Sequence, residues 1–109
     1  MVYYTYADVL LMKAEAQLRT GISGEALAIV NTLRGIRGAS TLGSLTLDNL
    51  LDERGREFFW EGMRREDLIR FGKFLTTWEE KPTDNAKYLL FAIPDNQLAN
   101  PNLIQNAGY

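Results

Sequence analysis

The 109-residue sequence contains no cysteine and no histidine, and these two absences limit the chemistry it can perform. Without cysteine there is no disulfide, no thiolate ligand for zinc and no thiol nucleophile. Without histidine there is no histidine-dependent catalytic triad, no Glu-x-x-His metal motif and no imidazole to act as general base near neutral pH. We therefore expect no catalytic, cofactor-binding or metal-binding residues, and we predict that the chain is not an enzyme.

The sequence also lacks a long apolar run and an excess of charge of either sign. No stretch approaches the roughly 18 apolar residues that cross a bilayer, and Asp8, Lys13 and Glu15 interrupt the region where a signal peptide would be apolar. The formal net charge is -2, and basic residues do not outnumber nearby acidic residues in any patch. We therefore expect no nucleic-acid binding.

Helical periodicity dominates the first two thirds of the chain and predicts an all-α fold built from helical hairpins. Ser23 and Thr46 are suitable N-caps for two of the helices. The run from 88 to 94 is predicted to be extended, because Ile93 precedes a proline, and the tail after it is predicted to be irregular. The predicted helices span residues 6 to about 19, 23 to about 37, 47 to about 61 and 65 to about 74.

Residues 16 to 33 resemble half of a tetratricopeptide repeat, with Gly21 at the turn and Ala26 at the close helix contact. An ordinary antiparallel hairpin would have the same pattern. The first helix is apolar on two sides, since Val9, Met12 and Ala16 lie away from the sector that contains Leu10, Leu11, Ala14 and Leu18. We therefore expect an additional partner on the second side, and expect the isolated chain to self-associate.

Acidic, basic and large apolar residues alternate densely between residues 52 and 73, where six basic residues balance six acidic ones. Glu53, Glu57 and Glu61 share one helix face, which would also suit a hydrolase with two carboxylates or a divalent metal site. The charge balance favours a structural ion-pair network, in which Arg54 is half-buried and pairs with Glu57 and with a strip on the first helix. Gly55 would permit close helix approach, and the apolar residues of the stretch should find cover. The predicted network comprises Asp8, Glu15, Arg54, Glu57, Glu61 and Arg64.

Exposed aromatic side chains are the candidate ligand contacts, because their faces suit the C–H faces of sugar rings. Trp78 lies in a polar loop from 76 to 87 and is the aromatic residue that least resembles a core residue. The sequence predicts Trp78 as the candidate ligand-binding residue.

Five segments in order resemble the C-terminal region of the SusD/RagB family of starch-utilisation-type proteins. Departures from the family pattern occur at Gly55, at Met63, Arg65 and Glu66 after the Glu-Gly pair, and at Ala107. The matching segments are YADVLLMKAEA (6–16), NTLRGIRG (31–38), LTLDNLLDERGREFFWEGMRREDLIRFGK (45–73), FAIPDNQLANPNL (91–103) and NLIQNAGY (102–109).

The resemblance implies a protein with tetratricopeptide-like hairpins that binds glycans or other nutrients without catalysis. Such proteins are surface-exposed outer-membrane lipoproteins of Bacteroidota that act with a SusC-like TonB-dependent transporter. On this interpretation residues 1–109 are a single domain, the C-terminal part of a longer protein, and serve mainly as scaffold. The upstream portion would carry the lipid anchor that provides the contact with the membrane.

A different class of function is also compatible with the pattern. The hairpin and its exposed apolar sector are typical of a stand-alone interaction module of tetratricopeptide type that binds a protein partner. A transporter gene next to this one would favour the nutrient-binding interpretation.

Overall fold

The computed structural model describes residues 4–82 and 85–109, and within these residues it contains four α-helices and one 3-10 helix. No β-sheet occurs in the described part of the chain, where Trp78 and Lys81 form an isolated bridge. The all-α fold class is therefore confirmed. No helix among these residues combines the length and apolar character that a bilayer crossing requires. The helices are α1 (Tyr6–Arg19), α2 (Ser23–Ile36), α3 (Leu47–Glu57), α4 (Arg64–Arg70) and a 3-10 helix (Ala86–Leu89).

The chain forms two compact units, one that ends at Phe71 and one that runs from Gly72 to Tyr109. The first unit contains the four α-helices, and the second contains the 3-10 helix and the tail. A single domain over residues 1–109 stays a prediction.

The hairpin of α1 and α2 is the central element of the first unit. The hydroxyl of Thr5 accepts a hydrogen bond from the amide of Asp8 at 3.2 Å and caps the start of α1. The helix ends at Arg19, and two residues later Gly21, with a φ of 86°, allows the amide of Ile22 to donate to the carbonyl of Gln17 at 2.8 Å. This Schellman-type end reverses the chain within three residues, as the predicted turn at Gly21 requires.

The core of the first unit lies where α1, α2 and α3 meet. Ala14 and Ala26 are fully buried, so the backbones of α1 and α2 approach closely at the position that the repeat-like pattern assigns to Ala26. Burial of apolar surface is the main stabilising contribution of such a core. Its buried members are Leu11, Ala14, Ala26, Val30, Leu33, Leu45, Leu50 and Phe58.

Three predicted boundaries in the first unit differ from the structure. Ser23 is the first residue of α2 and not its N-cap, because Ile22 occupies the cap position without a side-chain hydrogen bond. Helix α3 ends at Glu57, well before Gly62, and Trp60 then adopts a φ of 67° that no helix allows. Helix α4 ends at Arg70, because Gly72 with a φ of 70° turns the chain away before Phe74.

The second unit is held largely by bonds from side chains to the backbone. The side-chain amide of Gln105 accepts from the amide of Ile93 and donates to its carbonyl, both at 2.9 Å. Asn106 donates to the carbonyl of Phe91 at 2.7 Å, and the hydroxyl of Tyr109 donates to the carbonyl of Leu90 at 3.0 Å. The tail side chains therefore satisfy backbone groups that a neighbouring strand would otherwise pair.

The predicted extended segment is shorter than residues 88 to 94. Tyr88 and Leu89 belong to the 3-10 helix, which begins after Asn85 caps the amide of Lys87 at 3.0 Å. Extended backbone begins at Leu90, with φ of -112° and ψ of 163°. The cap at Asn85 is a local signal for a helical turn that the periodicity of residues 88 to 94 does not reveal.

Candidate functional site

Arg54 of α3 is the centre of the most unusual feature of the first unit, a guanidinium that is only 4% exposed. It continues the face of α3 that buries Leu50 and Leu51. Its Nε donates to both carboxylate oxygens of Asp67 at 2.9 Å, and its Nη1 donates to Oδ1 of Asp8 at 3.0 Å. The guanidinium also lies over the ring of Phe58, 5.0 Å from the ring centroid. Each buried charge is thus paired, as burial of charge requires.

Glu15 and Arg70 extend these contacts to the surface. Arg70 donates to Glu15 from Nη2 and Nε at 2.9 and 3.0 Å, and its Nη2 also donates to Asp67 at 2.7 Å. Arg19 donates to Glu15 at 2.9 Å and lies over the ring of Phe71. We refer to these six side chains as the central ion cluster. It joins α1, α3 and α4 and comprises Asp8, Glu15, Arg19, Arg54, Asp67 and Arg70.

The central ion cluster shifts the pKa values of its outer members. Burial raises the pKa of Glu15, but hydrogen bonds and charge from Arg70 and Arg19 outweigh this effect and hold the pKa below its ordinary value. The hydrogen bond with Glu15 raises the pKa of Arg70 against the opposing effect of burial, and Asp67 adds to the rise. Both groups are therefore ionised at neutral pH, and neither has the character of a general acid or base.

Glu57 was expected to pair with Arg54, and this pairing is wrong. The structure places Glu57 against Arg37, the residue that follows α2, whose Nε donates to it at 3.1 Å. Residues three apart on a helix differ by about 60° in direction. Arg54 therefore points towards α1 and α4, while Glu57 points towards the end of α2. This surface pair raises the pKa of Arg37 through the hydrogen bond and the charge of Glu57.

Glu61 and Arg64 also lie outside the central ion cluster. Glu61 follows the end of α3 and is exposed, and it makes no ion pair within residues 4–82 and 85–109. Arg64 donates to the carbonyl of Leu51 at 3.0 Å, and a Cβ added at Gly55 would lie 2.9 Å from its Nη1. Gly55 thus makes room for the guanidinium of Arg64, the first residue of α4, and the nearest atoms there all belong to this side chain and not to helix backbone.

The row of glutamates on α3 does not form a catalytic pair. Glu53 forms ion pairs with Arg34 and Arg56, and Glu57 pairs with Arg37. Among the described residues no group of three or more acidic side chains is arranged to hold a metal ion. The carboxylates of Glu53 and Glu57 therefore serve as partners of arginine side chains, which is a structural arrangement and not a catalytic one.

Trp78, the candidate ligand contact, lies in a tight turn of the second unit and is half exposed. Its amide donates to the carbonyl of Lys81 at 3.1 Å, and the amide of Lys81 donates back at 2.7 Å. Glu79 between them has a φ of 40°, which the short turn imposes. The turn presents Trp78 on a defined backbone, and its contact with a ligand stays a prediction.

Phe59 and Trp60 form an aromatic pair that is exposed, although the sequence predicted that both residues would be covered. They are 74% and 90% exposed, and their ring centroids lie 6.0 Å apart with the planes inclined by 59°. The early end of α3 removes both residues from the helical face that Phe58 continues into the core. Gly62 is the only sequence signal for this turn, and it lies three residues after Phe59.

Asp67, Arg70 and Arg19 are the members of the central ion cluster that the sequence analysis missed. Asp67 follows Arg54 by thirteen positions and comes close only because the chain reverses between α3 and α4. The spacing of Asp67 and Arg70 by three positions on one helix was an available signal. The pairing of Asp67 with Arg54 across the turn had no such signal in the sequence, because the direction of α4 depends on tertiary packing.

The fold and the central ion cluster define a class of protein: a helical hairpin module whose charged centre joins helices and whose described residues form no catalytic arrangement. The sequence model of the SusD family matches residues 1–109. The chain is 37% identical over 117 aligned residues to the "Starch-binding protein SusD" of Bacteroides thetaiotaomicron, an alignment that covers 97% of this chain and 21% of that protein. It is 35% identical over 86 residues to the "SusD-like protein P38" of Formosa agariphila, with coverage of 67% and 17%.

The chain therefore belongs to the SusD family. This confirms the resemblance drawn from the five sequence segments. The family is one of binding proteins, so the expectation that the chain is not an enzyme is also confirmed. The chain spans about a fifth of the length of these curated relatives.

Proposed function

We propose that this chain is part of a non-enzymatic binding protein that captures glycans for nutrient uptake across an outer membrane. The observation that carries the proposal is the 37% identity, over nearly the whole chain, to a protein named for starch binding. The paired charges of the central ion cluster agree with a binding role, because carboxylates and guanidiniums that neutralise one another are not arranged for bond cleavage.

Within such a protein the 109 residues serve mainly as scaffold. The central ion cluster fixes α3 and α4 against α1, and its three carboxylates and three guanidiniums cancel in charge. A neutral, buried cluster of this kind orders helices and offers little to a sugar. Trp78 is the candidate glycan contact within the chain, since its indole is half exposed on a short turn.

The whole protein is proposed to be a lipoprotein exposed on the surface of the outer membrane, where it acts with a SusC-like TonB-dependent transporter. The membership in the SusD family supports this assignment. A gene for such a transporter beside the gene for this chain is the expected genomic arrangement. The assignment would be contradicted if no transporter gene lay near the gene for this chain and the purified chain bound a soluble partner protein.

A chimeric protein tests the scaffold role. The segment of Bacteroides thetaiotaomicron SusD that matches this chain is replaced by residues 1–109, and the affinity for maltoheptaose is measured by calorimetry. A scaffold should leave the Kd within about threefold of that of SusD, a change below about 0.7 kcal/mol. A folded chimera that no longer binds would show that the matching segment contributes glycan contacts of its own.

The same chimera tests Trp78. Loss of a stacked indole should weaken maltoheptaose binding about tenfold or more in Trp78→Ala, which corresponds to about 1.4 kcal/mol. Tyr88→Ala is the matched control, because Tyr88 is a similarly exposed aromatic residue of the same unit. Equal affinities for the two variants and the parent chimera would remove Trp78 from the glycan site.

A stand-alone interaction module remains the second candidate, because α1 carries exposed apolar residues that a protein partner would cover. Such a module would be complete without a longer polypeptide. It should remain monomeric and soluble at high concentration, and its Tm should not change when it is placed within SusD. A chain that self-associates alone and melts higher in the chimera favours the glycan-binding protein.

A further inference from the structure

Helix α1 has a second apolar face that no described residue of the first unit covers. Val9 is 50% exposed, Met12 is 42% exposed, and Ala16 is also exposed. These residues lie at positions i, i+3 and i+7, which places them on one side of the helix. The opposite side carries Leu11 and Ala14 into the core. We refer to Val9, Met12 and Ala16 as the outer stripe of α1.

A groove with a volume of about 530 Å³ runs beside the outer stripe. Its apolar lining comes from Tyr4, Met12 and Met63, and the carboxylate of Glu66, which pairs with Arg65 at 3.1 Å, lines it as well. Its floor consists of the central ion cluster, so that the groove lies between α1 and the start of α4. The small side chain of Ala16 at the edge lets a neighbouring backbone approach, as small residues do where helices pack closely.

The charge of the floor restricts what can occupy the groove. Its three carboxylates and three guanidiniums are paired with one another, and the outer guanidiniums of Arg19 and Arg70 are only 39% and 42% exposed. A charged ligand in the groove would have to break one of these pairs or remain uncompensated, and either costs free energy. An uncharged apolar segment would leave these pairs intact and would only remove water from the partly exposed Arg19, Arg70 and Glu66, each of which keeps its partner.

The length of the relatives indicates where such a segment comes from. The alignments cover 21% and 17% of those proteins, so about four fifths of a protein of that length lies outside these 109 residues. A single hairpin of tetratricopeptide type cannot bury both of its faces, and stacking on a neighbouring hairpin buries them. The α1–α2 hairpin has one buried face and one exposed face, as the end of such a stack does.

We propose that the groove and the outer stripe of α1 bind an uncharged apolar helix from the part of a SusD-length polypeptide that lies outside these 109 residues. The proposal rests on the chain being part of such a protein, but it does not depend on what that protein binds. Docking of this helix removes Met12 and Met63 from water. It also completes the burial of Arg70 and Glu15 without changing their partners.

Oxidative footprinting with hydroxyl radicals tests the proposal through the reactivity of methionine, which follows exposure. Met12 is followed by mass spectrometry in the isolated chain, at a concentration where light scattering reports a monomer, and in the SusD chimera. The oxidation rate of Met12 should fall about tenfold in the chimera. An equal rate in the two proteins would overturn the proposal. So would protection of Met12 in the isolated monomer by maltoheptaose, because the groove would then be a glycan site.

A matched pair of variants separates docking from general destabilisation. Met12→Gln should leave the Tm of the isolated chain nearly unchanged, because glutamine and methionine have similar helix propensities, the position is exposed and no charge is added beside Asp8 and Glu15. In the chimera the same change should lower the Tm by several degrees, while Ile36→Gln on the exposed end of α2 should not. Equal effects of the two substitutions in the chimera would contradict a dedicated docking face.

Two further outcomes keep the test decisive. If the chimera does not fold, the isolated chain is mixed with SusD that lacks the matching segment, and protection of Met12 is measured in that mixture. Unchanged oxidation there overturns the proposal. If Met12 is protected only at concentrations where the isolated chain dimerises, and never by SusD, a second copy is the occupant. The starch affinity of the chimera is measured separately, so that failure of docking and failure of glycan binding can be distinguished.

Discussion

Replacement of Arg54 by alanine should strongly destabilise the first unit. The guanidinium donates three hydrogen bonds to two carboxylates that are themselves buried, Asp8 and Asp67. Asp67 would keep its bond from Arg70. Asp8 would keep no partner for its carboxylate within the described residues, at 2% exposure. The variant therefore leaves a desolvated negative charge without compensation.

The expected cost follows from this geometry. Breaking a buried ion pair on one side costs about 3–5 kcal/mol, because the remaining charge cannot be rehydrated. A chain of this length has a free energy of unfolding of roughly 5–16 kcal/mol. The substitution thus removes about a fifth or more of the total, which corresponds to a fall in Tm of about 10–30 °C.

Urea denaturation followed by circular dichroism measures the effect. Arg56→Ala is the matched control, since Arg56 lies on the same helix with an exposed side chain and should change the free energy of unfolding by less than about 0.5 kcal/mol. A cost below about 1 kcal/mol at neutral pH would refute the claim that Arg54 anchors the fold.

Three other predictions follow from single positions. Gly21→Ala should destabilise by about 1–2 kcal/mol because of its φ of 86°, whereas Gly35→Ala, inside α2 with open space around it, should stabilise by about 0.5–1 kcal/mol; thermal melts compare the two. Gly55→Ala should stabilise the folded chain by about 1 kcal/mol only when Arg64 is also replaced by alanine, because the new methyl group otherwise displaces the guanidinium of Arg64. Additive effects of the two substitutions in a double-mutant cycle would contradict this coupling. Glu15→Gln should make the free energy of unfolding depend less on pH in the acid range. The folded-state pKa of Glu15 lies below 4.5, so its contribution to stability is present above that pH and is lost as pH falls through the lowered pKa. An unchanged slope of stability against pH below 4.5 would disprove this linkage.

The sequence predicted the elements whose signals are local. Helix α1 begins and ends where the periodicity and the pair Thr20-Gly21 place it, and Thr46 caps α3 through a bond to the amide of Asn49 at 3.1 Å. A cap or a glycine turn depends on atoms within a few residues, so that the amino-acid types alone carry the information. The early end of α3 has no such cap residue, and it was missed.

The members of the central ion cluster depended on information that the sequence does not carry. The burial of Arg54 followed from its position on the apolar stripe of α3, which is a local pattern. Its partner Asp67 depends on the angle between α3 and α4, which is set by packing around Phe58 and Met63. Charge balance over residues 52–73 indicated that pairs exist, but it could not assign them, because many pairings satisfy the same balance.

The position of the central ion cluster at the floor of the groove links the stability of the hairpin to the proposed docking. Arg54 is already buried in the isolated chain, while Arg70 in the outer pair with Glu15 is still partly exposed to solvent. The inner pairs can therefore hold α3 and α4 against α1 before any further helix arrives. Cover of the groove would then desolvate only pairs that are already formed, which avoids the cost of bringing unpaired charges out of water. A charged floor under an apolar groove is thus compatible with docking because the fold of this unit has paired its charges first.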